Sequence, residues 1–135
     1  MAQKITHGYK AMLAEAEAAV TTLGAAEAVA AAARADTVLV DLRDPRELER
    51  EGRVPGAFHC PRGMLEFWID PESPYAKPVF QEDRKFVFFC AGGMRSALAA
   101  HTAQRMGLKP VAHVEGGFAA WKAAGGPVEM VKPKA

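Results

Sequence analysis

The sequence predicts an α/β domain built on a parallel sheet, and two observations carry that expectation. Short apolar runs, at residues 38–41 and 85–90 among others, alternate with stretches of helical spacing, at 45–52 and 96–106 among others. Glycines and prolines punctuate the borders between them, as strand–helix–strand crossovers require. At 135 residues, half of them hydrophobic, the chain suits one domain with one sizeable core.

Ile5, Tyr9, Met12, Ala16, Val20 and Leu23 recur every three or four residues, which describes one face of a helix stopped at Gly24. This N-terminal helical extension, residues 1–19, is expected to dock on its own domain; a homodimer surface is the alternative use of the same face. An alanine-rich packing helix follows over residues 25–34. "TVLVDLRD" holds a buried strand at 38–41. Pro45 suits a first helical turn, and "PRELEREG" fits a short helix closed by Gly52. "VPGAFHC" reads as a turn on Pro55 and Gly56 and then a strand. "PRGMLEFWIDPESPYAKPVFQEDR", with four prolines, reads as a short helix and an excursion loop. "KFVFFC" is a buried strand, 96–106 a helix ending at Gly107, "PVAHVEG" a last strand, and "FAAWKAAGG" a last helix with Gly125 past its end. The domain proper spans 20–130, and residues 131–135 form a tail expected to fray.

The net charge of +1 favours neither nucleic acid nor an anionic membrane surface as partner. No run approaches the roughly 18 apolar residues of a spanning helix. The first 20 residues carry charges throughout and lack the apolar core of a signal peptide, so a cytoplasmic location is expected. Of the two cysteines, Cys60 and Cys90, neither belongs to a C-x-x-C pair or to zinc-type spacing. A disulfide between them is not expected in a reducing compartment.

In open parallel sheets, ligands sit at the carboxyl ends of the strands. Asp41 with Arg43, Cys90, and Glu115 with Gly116 and Gly117 lie at three such ends; His59 and Cys60 lie at a fourth. Cys90 is the most informative. Between it and a helix opening near Ser96 the chain must curl tightly, and Gly92 and Gly93 tolerate positive φ where other residues resist it. Such a curl turns backbone N–H groups inward as an anion-binding nest, and the helix N-terminus adds partial positive charge at the same point. Both stabilise a thiolate and make Cys90 a nucleophile. Arg95 adds a full charge, either to hold an anionic substrate or to pair with a carboxylate. Cys60 has no such curl after it and reads as a small core or pocket-wall residue.

"CAGGMRS", "VLVDLRDPRELEREGRVPGAFHCP" and "HVEGGFAAW" together resemble a single-domain rhodanese, a sulfurtransferase, over residues 20–128. That resemblance implies a rhodanese-like, five-stranded parallel sheet with helices on both faces, and a short strand near Val20–Leu23 where the periodicity alone continues the first helix. It implies Cys90 as the catalytic residue, a cradle of Ala91, Gly92, Gly93, Met94 and Arg95, and Ser96 opening the helix. The implied reaction takes a sulfane sulfur from a small donor onto Cys90 as a persulfide, then passes it to a thiol or protein acceptor, or to cyanide in assay. No metal or organic cofactor is required. Related thiol phosphatases and arsenate reductases place one more residue between cysteine and arginine than the four found here, and the smaller ring fits sulfur better than phosphate. Rhodanese loops active on thiosulfate often carry basic residues just after the cysteine. Ala91 and Gly92 stand there instead, so thiosulfate activity is expected to be weak, with a persulfide or mercaptopyruvate as alternative donors. A sulfur-delivery or non-catalytic module on the same fold is the other reading.

The resemblance also gives Asp41 and Arg43 a bracing role: a carboxylate can accept loop N–H bonds, and an arginine fork can hold carboxylates or carbonyls. An ion pair of Arg43 with Glu47 is the plainer alternative. "GRVPGA" departs from the family's pattern at Arg53, where histidine is usual. His59 is a pocket candidate that is more often merely hydrogen-bonded, and His101 and His113 rank below it. Trp68 either caps the pocket or belongs to the core edge. Glu115 is either a pocket rim or half of a salt bridge.

Overall fold

The computed structural model describes residues 2–131; the tail residues 132–135 lie outside the described part. Five parallel strands form one sheet in the order β1-β5-β4-β2-β3: β1 (Thr21–Leu23), β2 (Thr37–Asp41), β3 (Phe58–His59), β4 (Lys85–Phe89) and β5 (Val111–Val114). The helices are α1 (Tyr9–Ala19), α2 (Ala25–Ala32), α3 (Pro45–Glu51), α4 (Leu65–Ile69), α5 (Met94–Met106) and α6 (Gly117–Ala123). Two 3-10 turns, Arg62–Met64 and Pro78–Gln81, punctuate the proline-rich excursion.

Strands β2, β4 and β5 are buried along nearly their whole length, as expected of central strands covered on both faces. Alternate residues feed two separate apolar layers. Val38, Val40, Phe86, Phe88 and Val111 meet Ala99, Ala100 and Ala103 of α5 and Leu65 of α4. Leu39, Val87, Phe89, Ala112 and Val114 meet Ala28 of α2 and Phe118 and Trp121 of α6. By the same alternation Cys90, one step past β4, shares the α5 side with Phe86 and Phe88. Asp41 and Arg43 fall on the α6 side.

Three sequence expectations need correction. The helical spacing that runs from Ile5 to Leu23 overstates the helix, which begins at Tyr9 and stops at Ala19, because Thr21–Leu23 pairs with β5 as the edge strand that the family resemblance implies. Its apolar face is only partly docked: Ala16 and Val20 are buried against the α5 layer, whereas Ile5, Tyr9 and Met12 are exposed. Finally, α5 opens at Met94 and not near Ser96. Gly93 takes φ +104° as the residue before the helix, so one left-handed residue suffices to turn the strand end into a helix. No helix among the described residues is long and apolar enough to cross a membrane.

Candidate active site

Cys90 sits between the end of β4 and the start of α5 and is 1% exposed. Its sulfur accepts hydrogen bonds from the backbone N–H groups of Gly93 at 3.2 Å and Ser96 at 3.4 Å. The Ser96 hydroxyl lies 3.7 Å from the sulfur. The cradle is therefore narrower than the sequence implied, with Gly93 and Ser96 as the two amides on the sulfur. The N–H groups of Ala91, Gly92, Met94 and Arg95 have no hydrogen-bond partner among the described residues. Those of Met94 and Arg95 are the free donors of a helix's first turn.

The loop is fixed from behind. Phe118 N–H donates to the Cys90 carbonyl at 2.7 Å and Ala119 N–H to that of Ala91 at 3.3 Å. Gly117, at φ +58°, lies so close beneath the loop that a Cβ there would come within 2.8 Å of the Ala91 carbonyl carbon. The "EGG" at the end of β5 thus serves close backbone approach to the cysteine loop.

Asp41 and Arg43 form a buried ion pair at 2.8 Å, each residue 1% exposed. The Asp41 carboxylate also accepts the Arg43 backbone N–H at 3.0 Å, and Arg43 donates to the Gly52 carbonyl at 3.0 Å. The carboxylate makes no bond to a loop N–H among the described residues. The support it gives is indirect: the Arg43 guanidinium lies 4.0 Å from the Phe118 ring centroid, and Phe118 holds Cys90. Glu47 does not pair with Arg43; it takes both terminal nitrogens of Arg95, at 2.8 and 3.0 Å. That fork, with the Asp44 N–H, outweighs burial and holds the Glu47 carboxyl down at about 2. In return Glu47 raises Arg95, and the Cys90 sulfur adds a smaller pull in the same direction.

The remaining candidates separate clearly. His59 Nε2 meets the Arg43 carbonyl at 2.7 Å, a structural bond. The Trp68 ring packs edge-on against Phe58 with the Lys77 ammonium above it, which is the core-edge reading. Glu115 is exposed without an ion-pair partner among the described residues and lines the rim of a 270 Å³ cleft with Gly92, Gly93 and His113. Cys60 is wholly buried, and burial pushes its thiol up to about 12. Both cysteines are free.

His113, which the sequence ranks below His59, lies beside the cysteine loop. Its Nδ1 lies 3.2 Å from the Ser96 hydroxyl and its Nε2 3.2 Å from that of Thr22. The usable signal was parity: in "VAHV", residue 113 faces the same layer as Val111, and that layer contains Cys90.

Comparison with known proteins agrees with this geometry. The sequence pattern of the rhodanese-like domain matches residues 24–124. The mouse thiosulfate sulfurtransferase/rhodanese-like domain-containing protein 3 is 28% identical over 91 residues, which are 64% of this chain and 58% of that protein. The chain thus spans little more than half of that relative's length. A structure from Rhodopseudomonas palustris CGA009, of a protein of unknown function described as a possible tyrosine phosphatase, is 67% identical with a TM-score of 0.93, covering 96% of this chain and 99% of that one. The thiosulfate sulfurtransferase of Pseudomonas aeruginosa is 27% identical with a TM-score of 0.70, covering 92% of this chain and 23% of that one. A match over most of the chain, on a five-stranded parallel sheet with the cysteine loop between β4 and α5, means that this chain belongs to the rhodanese-like domain family.

Proposed function

We propose that the protein is a sulfurtransferase that carries a sulfane sulfur on Cys90. The carrying observation is the pair of backbone N–H groups, Gly93 and Ser96, on a sulfur whose surrounding loop keeps four further N–H groups unpartnered. Preorganised donors of this kind stabilise negative charge without reorganising during reaction. The Cys90 thiolate attacks the outer sulfur of a donor. A new S–S bond forms, the donor's S–S bond breaks, and the leaving group departs with its electron pair, as sulfite if the donor is thiosulfate. The free N–H groups of Ala91, Gly92, Met94 and Arg95 are suited to the added, anionic sulfur. A thiophilic acceptor, a small thiol, a protein thiol or cyanide, then attacks that sulfur and Cys90 leaves as thiolate. Two half-reactions of this form give ping-pong kinetics.

The description of the R. palustris protein raises phosphatase chemistry as a second reading. Two features speak against it here. The loop is one residue shorter than a phosphate cradle, and both terminal nitrogens of Arg95 are committed to Glu47 rather than free to clasp a phosphoryl group. Mass spectrometry after incubation with thiosulfate or an organic persulfide decides between them. Wild-type protein is expected to gain one sulfur that Cys90→Ser does not. Turnover of an aryl phosphate with no sulfur uptake would reverse the assignment.

A further inference from the structure

A continuous row of side chains leads away from the sulfur. Cys90 Sγ is 3.7 Å from Ser96 Oγ; Ser96 Oγ is 3.2 Å from His113 Nδ1; His113 Nε2 is 3.2 Å from Thr22 Oγ1. Ser96 also approaches the Gly93 carbonyl at 3.2 Å, so its single proton has three partners to choose among. Cys90, Ser96 and His113 are buried, whereas Thr22 is exposed. The row ends in the 270 Å³ cleft, which Thr22, His113, Glu17 and Glu115 line together with Gly92, Gly93 and Met94 of the cysteine loop. This arrangement comes from register: Thr22 of β1 and Phe88 of β4 flank His113 of β5, and α5 brings Ser96 down from above.

We propose that Ser96, His113 and Thr22 form a proton relay that drains the Cys90 thiol into this cleft. The inference rests on Cys90 being the sulfur carrier proposed above. Cys90 is 1% exposed, so a proton released from its sulfur has no direct path to water and needs side chains to carry it out. In the resting thiol, S–H donates to Ser96 Oγ, Ser96 O–H to His113 Nδ1, and His113 Nε2–H to Thr22 Oγ1. On ionisation the S–H bond breaks and the sulfur keeps its electron pair. The proton goes to Ser96 Oγ while Ser96 passes its own to His113 Nδ1. The imidazolium then releases its Nε2 proton through Thr22 to water in the cleft. The products are a thiolate now accepting the Ser96 O–H, a neutral imidazole in the other tautomer, and one solvated proton; nothing is oxidised or reduced.

The groups facing His113 suit this work. Ser96 and Thr22 meet its two nitrogens, Cys90 lies beyond Ser96, and Glu17 of α1 and Glu115 after β5 supply negative charge. Burial pushes the imidazole below its ordinary range and the two glutamates pull it back up, so at neutral pH it is free to take a proton. His113 touches no reacting atom and acts through Ser96; it is a positioning residue.

The test is the single-turnover rate of persulfide formation from pH 5.5 to 9, by rapid quench and mass spectrometry, in wild type, His113→Ala and Thr22→Val. His113→Ala is expected to load sulfur about 10-fold or more slowly at the acid end and to converge on wild type at the alkaline end, where solvent already has the proton. Added imidazole should restore the acid-end rate in His113→Ala and leave wild type unchanged. Thr22→Val, at an exposed position, should show a smaller loss over the same pH range, and it decides alone if His113→Ala does not fold. Loss of equal size at every pH without imidazole rescue overturns the relay, as does an unchanged profile in the variant that decides. A wild-type protein that takes up no sulfur overturns the assignment of Cys90 and the relay with it; normal loading in all three proteins sinks the relay alone.

Discussion

At the scale of single residues, Asp41 and Arg43 show why a short motif can matter without touching the chemistry. Both are charged and almost fully buried, and each satisfies the other while Arg43 also caps the Gly52 carbonyl and lies on Phe118. Removing one partner leaves an uncompensated buried charge. Asp41→Asn is therefore expected to cost about 3–5 kcal/mol in urea denaturation. A cost below about 1 kcal/mol would mean the guanidinium finds another partner. The motif itself was legible in the sequence, but its geometry was not. The plainer alternative for Arg43, an ion pair with Glu47 one helical turn on, does not form, because the fold hands Glu47 to Arg95 from a different element. His113 ranks low in the sequence for the same reason: its partner Ser96 belongs to a helix that lies earlier in the chain, and strand alternation alone reads a buried histidine as an ordinary hydrogen-bonded core residue.

At the scale of elements, α3 holds the cysteine loop through one carboxylate. Glu47 sits in the first turn of α3, where its side chain also accepts the Asp44 N–H, and it reaches the first turn of α5 through Arg95. A carboxyl group held at about 2, against an ordinary value of 4.5, stabilises the fold fully above pH 4.5. That stability drains away as pH falls from 4.5 through 2. Glu47→Gln should flatten this acid limb in pH-dependent denaturation and leave the alkaline side untouched; an unchanged acid limb would show the pair to be idle. The alternation of strands and helices was readable because apolar runs and helical spacing differ in period. The borders were less so. β1 was legible only through the family resemblance, because Val20 and Leu23 keep helical spacing while pointing into opposite layers of the sheet. The start of α5 was placed two residues late because a single left-handed glycine makes a tighter turn than the pair suggested.

At the scale of the whole molecule, the family pattern begins at residue 24, yet α1 lies before it and packs on α5. Ala16 is fully buried and the Gln104 side chain donates to the Ala19 carbonyl at 2.9 Å. Deleting residues 1–19 should leave a folded domain that still loads sulfur, destabilised by about 1–3 kcal/mol for the apolar surface of α5 returned to water. Equal stability with and without α1 would show that this packing contributes nothing. The sheet order could be anticipated only through family resemblance, because parallel strands separated by helices leave several orders open to a reading of periodicity alone.

Gly117 and Phe118, which clamp the backbone of Cys90, follow it in the chain by two whole elements, α5 and β5. On the ribosome, the thiol emerges well before the segment that shapes its surroundings. Until α6 docks, the Cys90 loop lacks the backbone clamp behind it, so the end of β4 takes its final shape only after the segment that follows β5 has been made.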